Sequence, residues 1–238
     1  MLFLSDLHNN CHGQYGEELT RAIHDADADL ILIGGDILIQ RSADTKYGEY
    51  FAKSLKEYPV CCYTNGNHES GLRKYHPERY RDWVALLKEQ GITLLNNCSK
   101  EFSVNGTDIR VFGYEAPIHL YKKFRRHHLS VEELEKAVGR PDPEAFNILI
   151  AHNPAFGKTY FNWGADLICS GHNHGGVMRL FGNHILLSPY GFPFPRYGYG
   201  LFEENGESMI VTSGLGEHTI PVRIHNPMEI TLIDLTSE

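Results

Sequence analysis

No apolar run in this sequence approaches the roughly 18 consecutive residues that a membrane-spanning helix requires, so no integral membrane segment is expected. No secretory leader is expected either, since only four apolar residues precede Ser5 with no basic stretch before them, and the cytoplasm is the expected location. Cysteine is sparse. The five residues Cys11, Cys61, Cys62, Cys98 and Cys169 are odd in number and form no C-x-x-C spacing, which points to reduced thiols. Positive charge falls short of negative, 22 Lys and Arg against 30 Asp and Glu, and the net charge of −8 argues against nonspecific binding to a nucleic-acid backbone. A small anionic substrate then needs local positive charge, which bound metal ions can supply. Repeats, linkers and low-complexity tracts are absent, so residues 1–238 read as one domain with room for a sizeable core.

What is present is an alternation of short apolar runs and helical patterns. Residues 1–5 and 30–33 are expected as buried strands, and the stretch 14–27 between them sets Tyr15, Leu19, Ala22, Ile23 and Ala26 on one helical face. This is a βαβ unit. A second helix is expected over about 44–57, with Pro59 closing it before an apolar run at 60–63, and a third from Pro77 to Gly91. Two-residue alternation at 102–104 and 109–112 around Asn105-Gly106 predicts a hairpin, because both turn residues tolerate positive φ. Ser130-x-x-Glu133 is a capping box opening a short helix that ends near Gly139, and 148–151 and 166–169 are further core strands. Beyond Val177 hairpins are expected, with turns at Gly182-Asn183 and Asn205-Gly206 and strands near 199–202, 209–212 and 230–235. Such a pattern is α/β, two packed sheets with helices outside.

Five of the apolar runs end in stretches rich in Asp and His. They are Asp6-Leu7-His8, Gly35-Asp36, Gly66-Asn67-His68-Glu69, His152, and Gly171-His172-Asn173-His174-Gly175-Gly176. In an open α/β sheet, strand ends are where sites gather. Asp6 and Asp36 offer hard carboxylates, four histidines offer imidazole, and Asn67 offers an amide oxygen, a mixture that suits Mn, Fe or Zn better than Ca, Mg or Cu(I). These donors are too many for one tetrahedral ion, and match two ions sharing a carboxylate.

The ordered set D-x-H, G-D, G-N-H-E, H and G-H-x-H, running from Asp6 to His174, resembles the signature of the calcineurin-like metallophosphoesterase superfamily. The closing stretch from Ser213-Gly214-Leu215-Gly216 through Pro221-Val222-Arg223 to Glu229-Ile230-Thr231-Leu232 is similar to its bacterial branch typified by YkuE and YaeI. The resemblance implies a four-layer αββα sandwich of two mixed sheets flanked by helices. It also implies that Asp6, His8 and His174 hold a first divalent ion, that Asp36 bridges, and that Asn67, His152 and His172 complete a second. His68 then faces the substrate without being a ligand. Gly35-Asp36-Ile37-Leu38 lacks the Asp-Arg-Gly that protein Ser/Thr phosphatases of the superfamily carry, which argues against a protein substrate.

The expected activity is hydrolysis of a small phosphate ester, a phosphodiester or pyrophosphate, by a metal-bridging hydroxide with His68 aiding the leaving group. Alternatives are a phosphomonoesterase with the same centre and a scaffold without turnover. Three weaker features remain. The basic run Lys122-Lys123-x-Arg125-Arg126-His127-His128 lies within 118–145, a candidate rim or cap segment; His12 and Arg196 are candidate substrate contacts; and 189–197 is an aromatic loop that could wall a pocket.

Overall fold

The computed structural model describes residues 1–179, 184–217 and 222–236; the turn expected at Gly182-Asn183 lies outside them. In chain order the elements are β1 (Leu2–Leu4), α1 (Glu17–Asp25), β2 (Ile31–Ile33), α2 (Lys46–Ser54), β3 (Cys61–Tyr63), α3 (Asn67–Tyr75), α4 (Pro77–Glu89) and β4 (Thr93–Leu94). The second half adds β5 (Cys98–Val104), β6 (Thr107–Tyr114), α5 (Val131–Val138), β7 (Phe146–Ala151), α6 (Gly157–Trp163), β8 (Leu167–Ser170), β9 (Gly200–Glu204), β10 (Glu207–Val211) and β11 (Thr231–Leu232).

They build two sheets. The first runs β11-β1-β2-β3-β4, parallel apart from β11; the second runs β5-β6-β7-β8-β10-β9, parallel in its middle with antiparallel β5 and β9 at the edges. Strand alternation sorts the apolar runs into layers. Phe3, Leu32, Cys62, Val111, Ile148, Ile150, Leu167 and Cys169 fill the space between the sheets. Their neighbours Leu2, Leu4, Ile31, Ile33 and Tyr63 turn outward to meet Ile23, Phe51, Leu72 and Trp83 of α1 to α4. On the far side Phe112, Leu149, Ala151 and Ile168 meet Leu134, Tyr160 and Trp163 of α5 and α6. The result is the expected four-layer αββα sandwich. Runs without polar alternation are explained by burial on both faces.

Several boundaries differ from expectation. Tyr15 (φ 62) and Gly16 (φ 84) adopt left-handed backbone, so α1 starts at Glu17 after a 3-10 turn rather than at residue 14. The strand expected over 230–235 shrinks to β11. Helices α3 and α6 were not expected at all. The turn at Asn105 (φ 51) and Gly106 (φ 81) and the Ser130/Glu133 capping box are both present as the sequence predicts. Residues 118–145 comprise a 3-10 turn (Ile118–Tyr121), a basic loop and α5.

Candidate metal centre

Because β1, β2 and β3 are parallel, as are β7 and β8, the stretches that follow them leave from the carboxyl edges of their sheets. Among the described residues three groups of side chains each offer nitrogen or oxygen atoms within 4.8 Å of one another: Asp6, His8 and His174; Asp36, His152 and His172; and His8, Asp36 and His68. His174 Nε2 is 3.2 Å from Asp6 Oδ1 and 3.0 Å from His8 Nε2, while His152 Nε2 is 3.1 Å from Asp36 Oδ2. His8 Nε2 stands 3.9 Å from both carboxylates, joining the groups. The Asn67 side-chain oxygen is buried and accepts no hydrogen bond from the protein. A buried carbonyl oxygen without a donor is costly unless a cation meets it. Two carboxylates, convergent imidazoles and this orphaned oxygen fit divalent metal ions.

The backbone is bent to make these contacts. Asp6 (φ 58), His8 (φ 48), Asp36 (φ 53), His172 (φ 65) and His174 (φ 52) all occupy the left-handed region, which costs on the order of 1–3 kcal/mol each for residues bearing Cβ. Two glycines allow the close approach: a Cβ on Gly66 would strike the Asp36 carboxylate, and one on Gly171 would strike that of Asp6. Asp6 accepts the His172 N–H at 3.1 Å and Asp36 accepts the His68 N–H at 2.7 Å, which fixes both carboxylates. His152 donates from Nδ1 to the Gly34 carbonyl at 2.6 Å, leaving Nε2 as the atom that faces Asp36.

Electrostatics follow from burial. Burial pushes the Asp6 carboxyl up to about 6, against the pull of His152 and with a further push from Asp36. For Asp36 burial pushes upward as well, but His152, His68 and His8 hold it well below the usual carboxylate range. Burial pulls His152 down, yet Asp36 and Asp6 together with its hydrogen bonds raise it to about 9. Without an ion, the His152 proton stands in for metal charge between two buried carboxylates.

The sequence profile of the family described as Calcineurin-like phosphoesterase matches residues 1–176, a span that holds all of these groups. The chain belongs to the calcineurin-like phosphoesterases. It is similar to F40B5.2 of Caenorhabditis elegans, named as a metallophosphoesterase, at 28% identity over 92% of this chain and 43% of that one. It is also similar to the metallophosphoesterase YkuE of Bacillus subtilis, at 26% identity over 90% and 70%. Among solved structures, the sulfate thiohydrolase SoxB of Thermus thermophilus superposes with a TM-score of 0.55 over 91% of this chain and 52% of SoxB, at 15% identity, which shows a shared fold. The chain thus spans less than half of the nematode protein.

In this phosphoesterase, side chains that the sequence reading passed over hold the centre in place. Glu69, fully buried, accepts the N–H groups of Asp36 (2.8 Å), Leu38 (2.9 Å) and Gly66 (3.0 Å). Asn226 donates to the carbonyls of His174 (2.6 Å) and Gly176 (2.7 Å), and Arg223 donates to those of Ser213 (2.9 Å) and Gly216. Glu69 is signalled by its place in G-N-H-E and Arg223 by the closing stretch Pro221-Val222-Arg223; Asn226 carries no signal, because it grips main-chain carbonyls 52 and 50 residues away in sequence. His12 and Arg196 are engaged elsewhere: His12 Nε2 donates to the Leu215 carbonyl at 2.6 Å, and Arg196 pairs with Glu204 at 2.8 Å on the surface. The aromatic loop is split, with Tyr190 and Tyr197 buried and Phe194 exposed.

Proposed function

We propose that this phosphoesterase is a dinuclear metal-dependent phosphohydrolase of small phosphodiesters or pyrophosphates. The observation that carries the reading is the convergence of the three donor groups with the orphaned Asn67 oxygen beside them. In it Asp6, His8 and His174 hold one ion, Asn67, His152 and His172 hold the other, and Asp36 lies between. Bound there, a pair of divalent ions supplies Lewis-acid activation of water and neutralises charge on the phosphoryl oxygens.

The protein's own groups then orient and deliver protons. Glu69 and the His68 N–H fix Asp36 from two sides, which keeps its carboxylate facing His152. His68 stands edge-on to His8 with ring centroids 4.4 Å apart, and its Nδ1 accepts the Gln40 N–H at 3.4 Å. Once protonated to imidazolium, the ring gives a proton to the departing ester oxygen or stabilises the charge developing there. No side-chain nucleophile is needed. Residues 1–238 are read as one domain, and a cytoplasmic location is the reading that the odd number of cysteines without C-x-x-C spacing supports.

The test is hydrolysis of bis-p-nitrophenyl phosphate and p-nitrophenyl phosphate by chelator-stripped protein reloaded with Mn, Zn or Fe, with Asp36→Ala as control. Metal-restored preference for the diester, absent in the control, is the expected result. Preference for the monoester would make the protein a phosphomonoesterase, and no metal-dependent turnover of either would overturn the hydrolase reading.

A further inference from the structure

Beside the metal centre lies a cavity of about 180 Å³ whose wall begins at Asn173 and His174 and continues along Phe124, Val177, Leu187, Pro189 and Val222. It opens directly off the G-H-N-H loop, so whatever occupies it sits next to a group at the ions. Its surface is apolar although it lies beside two buried carboxylates.

Several polar groups along the wall are already engaged within the fold. The Asn173 amide donates to the carbonyls of Tyr197 (2.8 Å) and Gly198 (3.1 Å), and the Ser188 hydroxyl donates to that of Phe192 (3.0 Å). Arg223 is turned to the carbonyls of Ser213 and Gly216. With these groups engaged, a base or sugar finds few side chains besides the Lys123 ammonium to read it by hydrogen bonds, whereas an apolar substituent loses little by entering.

The lip of the cavity is apolar and fixed. Phe124 is 75% exposed, yet its N–H donates to the Tyr190 carbonyl at 2.9 Å, and its ring packs so closely on Gly191 that a Cβ there would collide with it. Leu187 and Val222 are also exposed at this cavity. Large apolar side chains held at a pocket rather than buried mark a binding surface. Lys123 and Arg223 add positive charge to the same wall, which suits an anionic ester entering with its phosphate toward the ions.

We propose that this cavity is the subsite for an apolar ester substituent, a short alkyl chain or a single aromatic ring, of the phosphate substrate. The proposal rests on the phosphohydrolase reading for the position of the phosphate. It names the substrate class as a phosphate ester with an apolar arm, recognised by contact rather than by hydrogen bonds.

The experiment uses phosphonates, which cannot be hydrolysed, so that binding is read apart from turnover. Methylphosphonate, hexylphosphonate and phenylphosphonate are titrated calorimetrically into the Mn-loaded protein. Partial burial of the added methylenes in an open cavity gives hexylphosphonate a Kd at least about tenfold below that of methylphosphonate. Phenylphosphonate follows hexylphosphonate. Leu187→Asp and Phe124→Ala bring the hexyl-to-methyl ratio toward one, while Leu201→Asp, on the exposed face of β9, leaves it as in the wild type. Equal affinities in the wild type overturn the subsite, as does a preference that survives both cavity variants. If no phosphonate binds, the phosphate site falls and the subsite with it; if hexylphosphonate binds preferentially but no ester is turned over, the subsite stands and the hydrolase reading falls.

Discussion

Asp36 and His68 divide the work of the centre between a charge that must stay and a proton that must move. The Asp36 carboxylate is held ionised by the three imidazoles facing it and by the His68 N–H. The His68 ring is only half-buried and is fixed at one edge, by Gln40 on Nδ1, which leaves the other edge for a substrate. His68→Ala is therefore expected to retain both ions, counted by elemental analysis, and to lose about 10²–10⁴-fold in kcat on dialkyl phosphates, whose alkoxide must be protonated as it leaves. The loss on bis-p-nitrophenyl phosphate should be much smaller, since nitrophenolate departs without a proton. Equal losses on the two substrates would show that His68 acts by placing the substrate or an ion, and an unchanged rate on dialkyl esters would remove it from the reaction.

At the scale of elements, α3 shows what the sequence reveals and what it hides. The residues of β1, β2, β3, β7 and β8 were legible because each is an apolar run covered on both faces, and the ligand candidates were legible because each follows such a run directly. Helix α3 has no apolar stripe: its buried residues are Glu69, Gly71 and Leu72, so periodicity could not announce it. It exists because Glu69 caps it and at the same time gathers the turn after β2. Helix α6 is seven residues long and β4 two, too short for a pattern to show. Asn226 was illegible for the related reason that a grip on a distant carbonyl depends on where the chain returns, and local sequence does not record that. The Glu69 clamp makes its own prediction. Glu69→Ala leaves three buried N–H groups, those of Asp36, Leu38 and Gly66, without an acceptor, which costs on the order of 3 kcal/mol or more. Glu69→Gln keeps one oxygen and part of the network, and should cost clearly less. Urea unfolding of the two variants, each stripped of metal, measures the difference; a wild-type midpoint for Glu69→Ala would show that the clamp carries no stability.

Across the whole molecule the centre is also a seam. Asp6, His8, Asp36 and Asn67 follow strands of the first sheet, while His152, His172 and His174 follow strands of the second, a division that the order of the motifs does not reveal. Direct ties cross the seam: His172 N–H to Asp6, His152 Nδ1–H to the Gly34 carbonyl, and Leu215 N–H to the Ser5 carbonyl at 3.0 Å. Between these ties sit two carboxylates almost wholly shielded from water, with the His152 proton as their main compensation. Ions bound across the seam favour the folded state by mass action, about 4 kcal/mol at a thousandfold excess over Kd, which for a chain of this size raises Tm by roughly 10 °C. The pH dependence differs between the two forms. In the metal-free protein His152 is raised from 6.5 to about 9 on folding, so its contribution is complete below 6.5 and is lost as pH rises through about 9. A metal ligand must instead be neutral, so ions displace that proton and bind more tightly as pH rises. The gap in Tm between Mn-loaded and chelated protein is thus expected to widen steadily from pH 6.5 to 9, followed by scanning calorimetry. A gap that narrows over this range would mean that His152 is not the group exchanged for the ions, and no gap at all would mean that the two sheets are held at this edge by their hydrogen bonds alone.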